Sequence, residues 1–125
     1  DLIMKDYHKM MSILVLVHDK ARHHNRISLD NNRGSVVNYT IDRQTKSALI
    51  TALREASRLF FAAGCTKVLI PGSNKFPLLP THSAKLEKHI TRKNLNFARN
   101  PLSSAHPQGG ARMGGDRIYS VCDPY

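Results

Sequence analysis

Between Asp42 and Gly64, apolar side chains fall at Ala48, Leu49, Ala52, Leu53, Ala56, Leu59, Phe60 and Ala63. This three-and-four spacing gathers them on one side of an α-helix. Asp42 is a good N-cap and Gly64 a good residue to follow the C-cap, so the spacing predicts a helix bounded at both ends. A helix with one apolar side must lay that side against something. The chain offers apolar, β-rich segments both before and after it.

Upstream, the run Ser12 to His18 predicts a strand buried on both faces. Residues 26–30 and 35–41 flank Asn31-Asn32-Arg33-Gly34, which predicts a hairpin with Gly34 free to take positive φ. Three consecutive short strands imply an antiparallel sheet, with the helix packed on it through Leu49, Leu53, Ala56 and Phe60. Downstream, Lys67 to Ile70 predicts a short strand stopped by Pro71-Gly72, and residues 74–80 a loop. Ser83 is placed to cap a second helix from Ala84 to about Asn94, with Leu86, Ile90 and Leu95 inside and Lys85, Lys88, Arg92 and Lys93 outside. The expected class is α+β, an antiparallel sheet with helices packed on one face. With 125 residues, 41% of them hydrophobic, the chain has material for one modest core, a single domain or part of one.

The formal charge of +10 is uneven. Residues 43–99 carry 11 Lys/Arg against only Glu55 and Glu87, whereas in residues 100–125 Arg112 and Arg117 balance Asp116 and Asp123. The basic stretch reads as a solvated face, or as a surface for nucleic acid or an anionic membrane. The longest apolar run, Ile13 to Val17, is too short to span a bilayer, and nothing resembles a signal peptide. Cys65 and Cys122 make no disulfide framework, which leaves a reducing compartment as the default. His18, His23 and His24 lack the carboxylates or cysteines that would complete a metal set, and no metal is expected. His82 and His89 flank or lie on the basic helix and show no evident partner in the sequence.

From Asn100 onward the periodicity disappears. Ser103-Ser-Ala-His106-Pro107-Gln-Gly109-Gly110-Ala-Arg-Met-Gly-Gly-Asp116 is a histidine in a proline- and glycine-rich loop. Proline after His106 biases it towards an extended backbone, and glycines let a backbone approach a flat ligand closely. A segment with no packing stripe of its own is where function is often carried. Ser103 and Ser104 have no acidic residue near them to orient His106 as the base of a hydrolase.

The order Ser104-Ala-His-Pro-Gln-Gly-Gly-Ala-Arg-Met-Gly-Gly-Asp116, followed by Ser120-Val-Cys-Asp-Pro124, resembles the active-site histidine segment of the glucose–methanol–choline (GMC) oxidoreductases. Its Pro-Gln-Gly-Gly form is similar to that of the long-chain-alcohol and membrane-associated branches. Residues 26–70 resemble the region preceding that segment more loosely. Ala111 stands where relatives often have cysteine or asparagine. The resemblance implies a partial C-terminal substrate domain over residues 1–125, with the FAD-binding domain and the final C-terminal segment outside it. It also implies oxidation of an alcohol CH–OH to a carbonyl with FAD as cofactor, His106 as the active-site acid/base, and Pro107, Gly109 and Gly110 beside the flavin. The expected partners are then a small-molecule alcohol, the FAD-binding domain of the same enzyme and, through the basic face, an anionic membrane surface. Nucleic acid is not expected. The alternative reading, a small basic module for nucleic acid or an anionic membrane surface, leaves the His106 segment without a purpose.

Overall fold

The computed structural model describes residues 5–73, 77–95, 103 and 110–123. It divides into two compact units, one of residues 1–19 and 41–100 and the other of residues 20–40 and 101–125.

The first unit is built on helix α1, Arg43–Ala62. Asp42 caps it as expected: its carboxylate accepts a hydrogen bond from the Thr45 amide at 2.7 Å. At the other end Gly64 takes φ +86°, and the amides of Gly64 and Cys65 donate to the carbonyls of Phe61 and Phe60, both at 3.0 Å. This closing pattern needs a left-handed residue, which glycine supplies without steric cost. The buried side of α1 is turned from the expected stripe. Ile50 and Ser57 are its most buried core positions, with Leu53, Phe60 and Phe61 packed around them, while Ala48, Leu59 and Ala63 face outward. Alanines contribute little apolar area, so Ile50 and Phe61 decide the orientation. Ser57 enters the core because its hydroxyl donates to the Leu53 carbonyl at 2.8 Å.

The core against which α1 packs comes from downstream: Val68, Ile70, Leu78, Leu86, Ile90 and Leu95. The expected strand at Lys67–Ile70 is reduced to a single antiparallel bridge, in which the amides and carbonyls of Val68 and Leu78 exchange bonds at 2.9 Å. Pro71 and Pro77 limit the ladder by removing donors on either side. The second helix also differs from expectation. A 3₁₀ helix runs from Pro80 to Lys85 and leads into a short α2, Leu86–His89. Proline tolerates the first position of such a turn, and His82 Nδ1 accepts the Leu79 amide at 2.9 Å, so the turn starts three residues before Ser83. The side pointing inward is as expected, with Leu86 at 0% and Ile90 at 1% exposure.

Helix α2 ends early because its carbonyls find tertiary partners. Arg54 donates to the Ile90 carbonyl through Nε at 3.1 Å and Nη2 at 2.9 Å, and Nη2 reaches the Glu87 carbonyl at 3.4 Å. Asn94 Nδ2 donates to the carbonyls of His89 at 2.9 Å and Lys88 at 3.4 Å. Arg58 pairs with both Glu55 and Glu87. The Glu87 carboxyl is held below the ordinary 4.5, first by hydrogen bonding from its own backbone amide, then by the charges of Arg58 and Arg54, against a contribution from desolvation.

The expected strand at Ser12–His18 does not form. The segment carries no assigned secondary structure; Val15, Val17 and Asp19 are half-buried in alternation, but Ile13, Leu14 and Leu16 are exposed and no ladder partner pairs with it among the described residues. A β-rich composition favours an extended backbone, and only a pairing partner makes it a strand. Its end is fixed by Asp19, whose carboxylate accepts the Thr45 hydroxyl at 2.9 Å.

In the second unit the expected hairpin is present. Strands β1, Arg26–Leu29, and β2, Ser35–Asn38, pair antiparallel with Ile27 opposite Val37 and Leu29 opposite Ser35. The turn is organised by Asp30, whose Oδ1 accepts the amides of Asn32 at 2.9 Å and Gly34 at 2.6 Å. The positive φ falls on Arg33, at 59°, and not on Gly34. Glycine is needed at 34 for room: a Cβ there would lie 2.9 Å from the Asp30 carboxylate. The chain is thus α+β, with a two-stranded antiparallel sheet and two α-helices among the described residues. No helix among them is long and apolar enough to cross a membrane.

Candidate active site

The histidine segment begins at the edge of what the structure describes. His106, Pro107 and Gly109 lie outside the described residues, and Gly110, an exposed turn residue, is the first candidate position inside them. Beyond Gly110 the chain forms a loop closed on itself by backbone hydrogen bonds. The Arg112 carbonyl accepts the amides of Val121 at 2.8 Å and Cys122 at 3.3 Å, and the Gly114 amide donates to the Cys122 carbonyl at 3.0 Å. These bonds bring Met113 and Cys122 into a parallel bridge.

Asp116 builds the tip of this loop. Its Oδ1 accepts the Ile118 amide at 2.8 Å, and its carbonyl accepts the Tyr119 amide at 3.1 Å and the Ser120 hydroxyl. An aspartate that satisfies backbone donors two residues ahead makes a turn without needing a core. The Arg-Met-Gly-Gly-Asp and Ser-Val-Cys-Asp parts of the motif, separate in the sequence, are therefore the two sides of one closed loop.

The glycines of this loop have different reasons. A Cβ on Gly114 would stand 3.1 Å from Ser120 Oγ, so a side chain there would have to push the Ser120 hydroxyl aside. Around Gly110 and Gly115 nothing among the described residues lies within 4 Å of where a Cβ would be. Their bare backbone faces open space, which is the surface a flat ring system needs for close approach.

For a cofactor such as FAD, the described residues offer an open glycine backbone but no phosphate site. A pyrophosphate takes a glycine-rich turn at a helix N-terminus with free amides. Helix α1 is the only described helix of useful length, and its first turn is already closed by the Asp42 carboxylate, which repels an anion. The described residues hold no place for the phosphates.

The histidines outside this segment do not assemble a second site. His18, His23 and His24 are exposed, and no three metal-ligating side chains cluster among the described residues. His82 and His89, without evident partners in the sequence, lie with ring centroids 4.4 Å apart, and His82 also holds the Leu79 amide. Sequence reasoning missed Arg54, a cation on the inner side of α1. Its signal was a charged residue between the inward positions Leu53 and Ser57, readable only once the α2 carbonyls are known to face it.

The family model described as GMC oxidoreductase, for the C-terminal domain, matches residues 21–125. Comparison with curated proteins and with solved structures gives no match. The matched range takes in the hairpin, α1, the downstream core and the loop after His106, and leaves out the segment at residues 12–18.

Proposed function

The chain belongs to the GMC oxidoreductase family, and on that premise we propose that it is the substrate-side part of an FAD-dependent enzyme that oxidises the CH–OH group of an alcohol to a carbonyl. The observation that carries this reading is the loop of residues 110–123. It is closed through Arg112, Gly114, Asp116 and Ser120 and, among the described residues, leaves the backbone of Gly110 open, three residues past Pro107 in the chain.

His106 is the acid/base. In this oxidation the alcohol carbon gives up a hydride and its oxygen gives up a proton, so that a C–O single bond becomes a carbonyl. Negative charge growing on the oxygen favours departure of the hydride. A neutral imidazole nitrogen of His106 takes that proton as the charge develops. FAD supplies the two-electron acceptor that receives the hydride. Pro107 holds the direction of His106 by restricting its backbone, and Gly109 and Gly110 line the approach to the ring. The pyrophosphate site belongs to an FAD-binding domain elsewhere in the same enzyme, because no Gly-x-Gly-x-x-Gly unit occurs in this chain. The Pro107-Gln108-Gly109-Gly110 form of the motif is the ground for placing the chain near the long-chain-alcohol and membrane-associated branches of the family.

The test is flavin reduction by alcohol under anaerobic conditions in the intact enzyme, which isolates the hydride half-reaction from reoxidation. His106→Ala is expected to slow it by about 10²–10⁴-fold, the range for loss of a positioned acid–base group, with flavin content nearly unchanged. His106→Asn is expected to behave alike, since an amide can hydrogen-bond the hydroxyl but cannot take its proton. Reduction at near wild-type speed in His106→Ala would refute the assignment.

A further inference from the structure

We propose that the outward side of residues 85–93 is a docking surface for an anionic lipid bilayer, independent of the catalytic reading. The fold sorts this segment by sides. Leu86 and Ile90 are fully buried and fix which side is inside. Glu87, its one carboxylate, is drawn towards α1 by Arg58, which also takes Glu55. The carbonyls of residues 87–90 are closed by Arg54 and Asn94, so no lysine is used to cap α2. Lys85, Lys88, Arg92 and Lys93 are left on the outside, all exposed, with no ion pair among the described residues. The sequence shows a basic stretch, but only the tertiary structure shows that its two acids are spent on Arg58 and that four cations within nine residues stay exposed.

The chemistry of these four favours lipid over nucleic acid. Three are lysines, strongly hydrated point charges without the rigid fork that reads a fixed phosphate geometry, and they suit a fluid layer of anionic headgroups. Residues 77–95 contain no Phe, Tyr or Trp on which bases could stack. A cluster of four Lys/Arg is the size at which attraction to an anionic leaflet becomes substantial.

The test is co-sedimentation of the full chain with vesicles of phosphatidylcholine alone or with about 30% phosphatidylserine, at low and high salt. Binding is expected only with phosphatidylserine and is expected to weaken as salt rises. Neutralising Lys85, Lys88, Arg92 and Lys93 to Gln should lower it by about fivefold per charge, up to several hundred-fold for all four. A variant with Lys5, Lys9, Lys20 and Arg26 changed to Gln has the same net charge and is expected to stay within about tenfold of the wild type. Helical circular dichroism confirms that both variants fold. Three results overturn the proposal: no binding to anionic vesicles, equal loss in both variants, or unchanged vesicle binding in the first variant. Salt-dependent binding to duplex DNA that needs these four residues, without vesicle binding, would assign the face to nucleic acid instead.

Discussion

The two units of this chain use the same apolar residue types in opposite ways. In the first, Ile50, Val68, Ile70, Leu78, Leu86, Ile90 and Leu95 close into a core with at most 6% of any side chain exposed. In the second, Ile27, Leu29 and Val37 share one face of the hairpin at 71%, 69% and 69% exposure, and Met113, Ile118, Tyr119 and Val121 are equally open. The first unit has two layers, a long helix and the folded-back segment 68–95, and each layer covers the other. The second has a single two-stranded sheet and a loop, and a lone hairpin has no second layer to bury its apolar face. Its order comes from hydrogen bonds: Asp30 closing one turn, Asp116 the other, and the Arg112 carbonyl tying the loop shut. The chemistry we propose falls in the unit whose shape is set by backbone bonds, where glycines can remain bare because no core needs their side chains.

If the contrast is right, equal truncations should have unequal effects. Leu86→Ala is expected to destabilise the chain by about 2–5 kcal/mol, the range for deleting a fully buried leucine and leaving a cavity. Ile27→Ala, on the open hairpin face, is expected to stay within about 0.5 kcal/mol. Urea unfolding followed by helical circular dichroism measures the first, and near-ultraviolet or NMR signals of the hairpin measure the second. Comparable losses would mean that the hairpin face is covered and the contrast is wrong.

Arg54→Met sharpens the comparison inside the first unit. The methionine keeps apolar bulk but removes the donors to the Ile90 and Glu87 carbonyls, one of them in the core segment. A loss of about 1–3 kcal/mol is expected, as for an unsatisfied partner of a charged donor, together with faster amide exchange at Ile90 and Thr91. An unchanged unfolding midpoint would show that α2 is held by packing alone.

The smallest effect is electrostatic. Because folding lowers the Glu87 pKa below 4.5, the ionised form is favoured in the folded state. Its stabilisation is fully present above that ordinary value and is lost as the pH falls through the lower folded value. Glu87→Gln should therefore flatten the acid side of the stability profile and leave the slope near neutrality unchanged. The group is exposed and screened, so the change is expected to be small. A steeper acid slope in Glu87→Gln would contradict the sign.

Much of this could be read from local chemistry. Asp42 and Gly64 mark the ends of α1 because a cap and a left-handed residue act within one turn, and they do so here. Residues 31–34 predict a hairpin for the same local reason, though the positive φ moved to Arg33 when Asp30 claimed the space beside Gly34. The order of residues around His106 carried the family by itself. Leu86 and Ile90 were legible as inward-facing because a spacing of four places both on one side of the α turn they share.

The tertiary structure decided what depends on partners distant in the sequence. Ser12–His18 has the composition of a strand, but pairing needs a neighbour, and none among the described residues pairs with it. Helix α1 could have turned either of two flanks inward, and the core from Val68 to Leu95 selected the one holding Ile50, Ser57 and Phe61. Arg54, which nothing in its local sequence singles out, caps a helix more than thirty residues away. Propensities and caps act over a few residues and are written where they act, whereas burial, pairing and the neutralisation of charge are properties of contacts that exist only after the chain has folded.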